Sequence, residues 1–191
     1  TVRLFRDIVD YLRSLHHFRR RIGLSYLGKS PVYWNAKSFD LAMRALYGKE
    51  LDETYSEVAR RIPDRASVVD VCCGTGRLYR DHLAARGCSY VGLDFNGHFV
   101  LQLRKRGVRA RFFDVLADPV PPADHVTMLS SFYHFRRRAP EVLARLRAAA
   151  RRSVIVSEPV KNLSARGGTV APLRPRRLSS QKTHEDCGHA C

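Results

Sequence analysis

Three acidic residues, Asp70, Asp94 and Asp114, stand about one structural repeat apart, each associated with a short apolar run. Around Asp70 the run is Val68, Val69 and Val71. It breaks into Cys72, Cys73, Gly74, Thr75 and Gly76, and a helical pattern begins near Arg77. Buried strand, glycine-rich turn and helix start, in that order, present the unpaired first N–H groups of a helix to a ligand. Gly74 and Gly76 lack a Cβ, so the turn can adopt positive φ and a ligand can approach the backbone closely. Asp94 follows Asp70 by 24 positions and Asp114 follows Asp94 by 20. An acid at the tip of the second strand of a βαβ unit can accept hydrogen bonds from both hydroxyls of a ribose, because a carboxylate accepts two O–H donors at once. Asp94 also suits the N-cap of the helix that follows it. The ligand this set suggests is of nucleotide type.

Positioning these groups requires alternating strands and helices. Strands are predicted at 68–71, 89–93, 108–113, 125–129 and 153–156. Helices are predicted at 40–47, 52–62, 78–86, 98–106 and from Pro140 to about 151, closed where Gly48, Gly87 and Gly107 stand. Residues 2–18 carry apolar groups at helical spacing and predict an amphipathic helix. Five strands alternating with helices give a doubly wound, mostly parallel α/β sheet of Rossmann-like type. The dinucleotide fingerprint G-x-G-x-x-G fails, because Tyr79 stands where the third glycine belongs, and this disfavours a nicotinamide oxidoreductase. In open α/β sheets the ligand lies beyond the carboxyl ends of the strands, so Ser130, Ser131, Phe132, Tyr133 and His134, after the fourth strand, face the reacting side. His134 is a candidate general base, since imidazole titrates near neutrality, or a surface residue at a loop-to-helix junction; Tyr133 is the second catalytic candidate.

The pattern (hydrophobic)-Asp-x-x-x-Gly-x-Gly at Asp70, Gly74 and Gly76 resembles the first motif of the class I S-adenosylmethionine-dependent methyltransferases. The resemblance runs from about 68 to 159. It implies a methyltransferase with S-adenosylmethionine as cofactor, held by Asp70, Cys72, Gly74 and Gly76 around the turn. Asp94 would take the ribose, Phe95 would lie near the adenine, and Asp114 would take the adenine 6-amino group, with the Val115 backbone N–H on the ring. Ser130 would face the methyl donor. The family often has a tyrosine in its helical lead-in that closes over the cofactor, and Tyr33 and Tyr47 are in that region. The Ser130–Tyr133 stretch lacks the Asn/Asp-Pro-Pro-aromatic sequence of enzymes acting on exocyclic base nitrogens, and the chain has no Pro-Cys nucleophile of cytosine C5 enzymes. The resemblance therefore favours a small-molecule, quinone or lipid-like acceptor. A cofactor-binding protein without turnover is the alternative, and a nucleic-acid methyltransferase is suggested only by the charge.

That charge is formally +16 over 191 residues. Its arginines are scattered rather than concentrated on one helix with interleaved aromatics, the pattern of a compositional bias more than of a nucleic-acid surface. A peripheral membrane contact and a homodimer are further partner expectations. The five cysteines are odd in number, and three fall in the α/β region, which suits a reducing compartment. With no secretory-type apolar segment at the start, the expectation is a cytoplasmic protein. The predicted organisation is a helical lead-in over 1–65, a cofactor-binding α/β domain over 66–160 and a disordered or atypical tail over 161–191, in which the family's usual last two strands are missing. His184, Cys187, His189 and Cys191 do not have a standard zinc spacing, so no metal is expected.

Overall fold

In the computed structural model, the described residues are 35–158 together with residues 9 and 12. Val9 and Leu12 are helical, as the spacing predicts; the remainder of the 2–18 helix, Tyr33 and the 161–191 tail lie outside the described residues. The chain divides into two compact units, Thr1–Glu158 and Pro159–Cys191. The first contains everything that follows.

Five strands, β1 (Ser67–Val71), β2 (Ser89–Asp94), β3 (Ala110–Phe112), β4 (Ala123–Leu129) and β5 (Ala150–Ser157), form one sheet in the order β3-β2-β1-β4-β5. Every pairing is parallel. The chain starts in the middle of the sheet, moves outward through β2 and β3, and returns to the other side of β1 as β4. This places a topological switch point between β1 and β4, where open α/β sheets bind ligands.

Alternation along β1 explains the two-sided core. Val69 and Val71 pack with Val126, Met128, Val142 and Leu146 on one face. Val68 packs with Val58, Ile62, Leu78, Leu83, Tyr90 and Leu129 on the other. Successive side chains of a strand point to opposite faces, so an unbroken apolar run belongs between two helical layers. Asp70 shares the face of Val68 and is only 3% exposed.

The helices depart from the sequence expectation in regular ways. The two predicted lead-in helices form one span, α1 (Ala36–Arg60), bent at Gly48, where φ is 49° and ψ is −127°. Gly48 interrupts the first helix as predicted, but the chain re-enters a helix at once. The crossover after β1 is not a regular α-helix: a π-turn (Tyr79–Leu83) runs into a 3-10 turn (Ala84–Arg86), ended by Gly87 in the left-handed conformation. The next helix, α2 (Gly97–Lys105), is capped by Asn96, whose side chain accepts from the His98 N–H at 3.0 Å. Asp94 is thus not the cap. β3 is shorter than the predicted 108–113, and the segment after β4 is a 3-10 helix (Phe132–Arg138) rather than an open loop. α3 (Ala139–Ala149) follows, with Pro140 in its first turn, where a missing N–H costs nothing.

Candidate functional site

The glycine turn takes the shape that its residues permit. Gly74 has φ 54° and Gly76 φ 71°. A Cβ on Gly76 would lie 2.6 Å from Leu103 Cδ2, so the turn packs directly on α2. A Cβ on Gly74 would meet only Phe39, at 4.0 Å. Cys72, with φ 58°, and Ser130, with φ 52°, are non-glycine residues in the same left-handed region. They stand at the tips of β1 and β4, the two strands that flank the switch point. Such backbone strain persists only where surrounding structure enforces it, and it clusters at functional sites.

The lead-in helix is fastened to this turn. The Thr75 hydroxyl donates to Asp40 at 2.7 Å, and Arg80 pairs with the same carboxylate at 3.2 Å. Arg77, 7% exposed, pairs with Asp52 and with Asp81, and its guanidinium lies 5.6 Å from the Tyr55 ring centroid. Phe39 packs against Phe99 of α2, with ring centroids 5.1 Å apart. The aromatic that this geometry sets over the turn is therefore Phe39, which the sequence reading did not single out.

The three acids have different surroundings. Asp94, 5% exposed, accepts from the Gly74 N–H and the Asn96 N–H, both at 2.7 Å, and so ties the tip of β2 to the glycine turn. Burial raises its carboxyl from 3.8 to about 6, against the lowering effect of those two N–H groups. Asp70 is raised to about 6 as well, chiefly by burial; the Thr127 hydroxyl at 2.7 Å and the Tyr90 hydroxyl at 2.9 Å partly offset it. Both Asp70 oxygens are occupied by these partners on the core side of the sheet, so Asp70 serves the turn by fixing β1 against β2 and β4. Asp114, after β3, accepts from the Leu116 N–H at 2.9 Å, while its own N–H donates to Asp118 at 2.8 Å. The Val115 side chain is in the core, and Phe95 is half-buried beside Asp94.

A fourth carboxylate completes the group. Glu158 follows β5 and accepts with Oε1 from the N–H groups of Ser131, at 2.8 Å, and Phe132, at 2.5 Å. The Tyr133 N–H is directed to the same carboxylate. Oε2 of Glu158 is buried and has no hydrogen-bond partner. Burial raises the Glu158 carboxyl above the usual range. The Cys72 thiol reports how the acids converge: burial first, then Asp94, Asp70, Glu158 and Asp114, all push it well above its ordinary value. A basic chain thus gathers three carboxylates, Asp94, Asp114 and Glu158, at the carboxyl end of its sheet, with Asp70 beneath them. Tyr133 is half-buried and His134 exposed, with their rings 3.9 Å apart. Among the described residues no group of His, Cys, Asp and Glu is arranged to hold a metal ion.

Residues 69–154 match the family described as "Methyltransferase domain". Over 86 of its 191 residues the α/β core is thus similar to a methyltransferase domain. Solved structures with the same fold include DesVI from Streptomyces venezuelae, 21% identical over 63% of this chain and 56% of that one, with a TM-score of 0.53. A TehB-like S-adenosylmethionine-dependent methyltransferase from Corynebacterium glutamicum is 17% identical over 63% of this chain and 71% of that one, with a TM-score of 0.51. The magnesium protoporphyrin IX methyltransferase of Synechocystis is 20% identical over 79% of this chain and 74% of that one, with a TM-score of 0.50. No curated protein matches the sequence. The chain spans about half the length of DesVI and of two other matched structures, at 56%, 52% and 49%.

Within this α/β domain, the predicted Gly74, Gly76, Cys72, Asp94, Asp114 and Ser130 come together at one end of the sheet. Asp70 lies beneath them with its oxygens already engaged. Glu158 was missed. The signal was present: it is an acid immediately past the fifth strand, much as Asp114 stands two positions past the third.

Proposed function

We propose that this methyltransferase domain binds S-adenosylmethionine at the carboxyl ends of β1, β2 and β3 and transfers its methyl group to a small-molecule or lipid-like acceptor. The observation that carries the reading is the left-handed glycine turn at the switch point, tied through the Gly74 N–H to the Asp94 carboxylate at the tip of β2. The residues present fit this cofactor. Gly74 leaves a gap that a side chain would enter, with Phe39 as its far wall. The carboxylates that end β2 and follow β3, Asp94 and Asp114, suit a cationic ligand.

When bound, S-adenosylmethionine supplies a methyl group already activated by positive sulfur, so alignment and a dry pocket are what the protein must add. Asp94 would accept the ribose hydroxyls while keeping its hold on Gly74, since each carboxylate oxygen has two lone pairs. Asp114 and the Val115 N–H would meet the adenine edge, with Phe95 against the ring. Asp70 acts through Thr127 and Tyr90, keeping the strand tips in register. α1 shields the turn from solvent through Phe39, Asp40 and Asp52, the last paired with Arg77. His134 and Tyr133 stand on the acceptor side, where a base is needed only if the acceptor must lose a proton.

Isothermal titration with S-adenosylhomocysteine and, separately, with NADH tests the reading. Binding of the first and not the second is expected, followed by methyl transfer to members of a small-molecule panel. Binding of NADH alone refutes it. S-Adenosylhomocysteine binding with no transfer to any acceptor favours a binding protein without turnover.

A further inference from the structure

We propose that Glu158 is a catalytic residue of this site, whose free oxygen Oε2 receives the N–H of an amine acceptor and takes its proton. The assignment rests on the methyltransferase reading above and names the acceptor class within it.

The two oxygens of Glu158 have separate tasks. Oε1 caps the Ser131 and Phe132 N–H groups and so fixes the segment leaving β4. That segment begins with strained Ser130, whose N–H donates to the Ser157 carbonyl at 2.7 Å, so the tips of β4 and β5 are locked as one unit. Oε2 is buried without a partner. A buried acceptor left unsatisfied carries its full desolvation penalty, which structures avoid unless something else fills the position. The Tyr133 N–H is directed to this carboxylate as well, yet no hydrogen bond reaches Oε2.

Charge selects the acceptor. The influences on Glu158 are burial and backbone N–H groups; no lysine or arginine among the described residues neutralises it. Glu158 itself is therefore the unneutralised negative charge beside Oε2. A carboxylate or phosphate acceptor would enter against this field, whereas an ammonium ion would be drawn in. The ammonium must then become a neutral amine before it can act as a nucleophile. A carboxylate raised toward neutrality is a competent base for that step, but not for an aliphatic alcohol, whose proton is held far more tightly. Glu158 Oε2 accepts one N–H proton. The nitrogen lone pair then forms the N–CH3 bond as the S–CH3 bond breaks, with its electron pair remaining on sulfur. The proton leaves Glu158 to solvent after product release. His134, exposed to water, is not required for this transfer.

The test compares the wild-type chain with Glu158→Gln and Glu158→Asp. Glutamine keeps a carbonyl oxygen for the Ser131 and Phe132 N–H groups but loses the charge and the basicity. The readouts are S-adenosylhomocysteine affinity, thermal unfolding, and binding and methylation of a panel of aliphatic amines, amino sugars and aromatic amines, each matched with its alcohol. Expected are wild-type binding and methylation of amines in preference to their alcohols. Glu158→Gln should keep its unfolding temperature within a few degrees and its S-adenosylhomocysteine affinity within about threefold, yet lose amine methylation by about 100-fold or more. The acid limb of the wild-type pH–rate profile should disappear in Glu158→Gln, and Glu158→Asp should recover part of the rate. Wild-type transfer rates in Glu158→Gln overturn the assignment, as does failure of any amine to bind the S-adenosylhomocysteine-loaded protein, or preference for the alcohols. If the wild-type chain fails to bind S-adenosylhomocysteine, the proposed function falls and this assignment with it. Intact S-adenosylhomocysteine binding with any of the preceding results overturns Glu158 alone.

Discussion

Asp94→Asn separates what this carboxylate does for the fold from what it does for the ligand. In the folded chain the Asp94 carboxyl is raised from 3.8 to about 6, and that figure already includes the two N–H groups it caps. Keeping it ionised at pH 7 therefore costs the folded state roughly 3 kcal/mol relative to an exposed aspartate. The sign follows from proton binding: between pH 4 and pH 6 the folded chain holds more protons than the unfolded chain, so stability contributed by this group is present below about pH 4 and is lost as pH rises through about 6. Asparagine resembles the protonated side chain, with one oxygen for the Gly74 or Asn96 N–H. In denaturant unfolding, the variant should match wild type within about 1 kcal/mol at pH 4 and exceed it by up to roughly 3 kcal/mol at pH 7. Ligand binding should move the other way. Losing a charged acceptor for two hydroxyls costs about 1–3 kcal/mol, or about 5- to 150-fold in S-adenosylhomocysteine affinity by calorimetry. Wild-type affinity should itself fall as pH drops below about 6, because only the ionised carboxylate accepts from both hydroxyls. A variant that is destabilised at pH 7 by more than about 1 kcal/mol would show that the ionised carboxylate anchors the turn. An unchanged dissociation constant would remove Asp94 from the cofactor site.

Three further outcomes are expected. Gly76→Ala places a Cβ 2.6 Å from Leu103 Cδ2 at a φ of 71° and should cost about 2 kcal/mol in chemical unfolding; a neutral effect would mean the turn relaxes freely. Thr127→Val removes one of the two hydroxyls that favour ionised Asp70, so stability should drop by about 1–2 kcal/mol at pH 7 and much less at pH 4. An equal loss at both pH values would place the effect in packing instead. Asp40→Ala frees Thr75 and Arg80 from α1. Amide exchange over 36–47 should speed up at least several-fold and S-adenosylhomocysteine should bind more weakly, whereas unchanged exchange would show that Phe39 and Arg77 hold the helix without it.

The sequence by itself determined the order of elements and the place of the turn. An apolar run can be buried on both sides only inside a covered parallel sheet, and the spacing from Asp70 to Asp94 to Asp114 leaves room for one crossover at each step. Glycine at 74 and 76 is legible locally, because positive φ is a property of the backbone at that point. What each carboxylate meets is not local. Asp70, Asp94 and Asp114 look alike as strand-end acids, yet Asp70 is taken by Thr127, 57 residues away, and by Tyr90, both brought alongside only by sheet pairing. Asn96 rather than Asp94 became the helix cap because the sheet had already directed Asp94 onto Gly74. Glu158 gained its role when the return of the chain to the other side of β1 set β5 beside β4, and no periodicity in the sequence encodes that neighbour. Spacing along the chain fixes which residues reach a strand end. Which partners desolvate them, and which oxygen remains free, is decided only when distant segments pack.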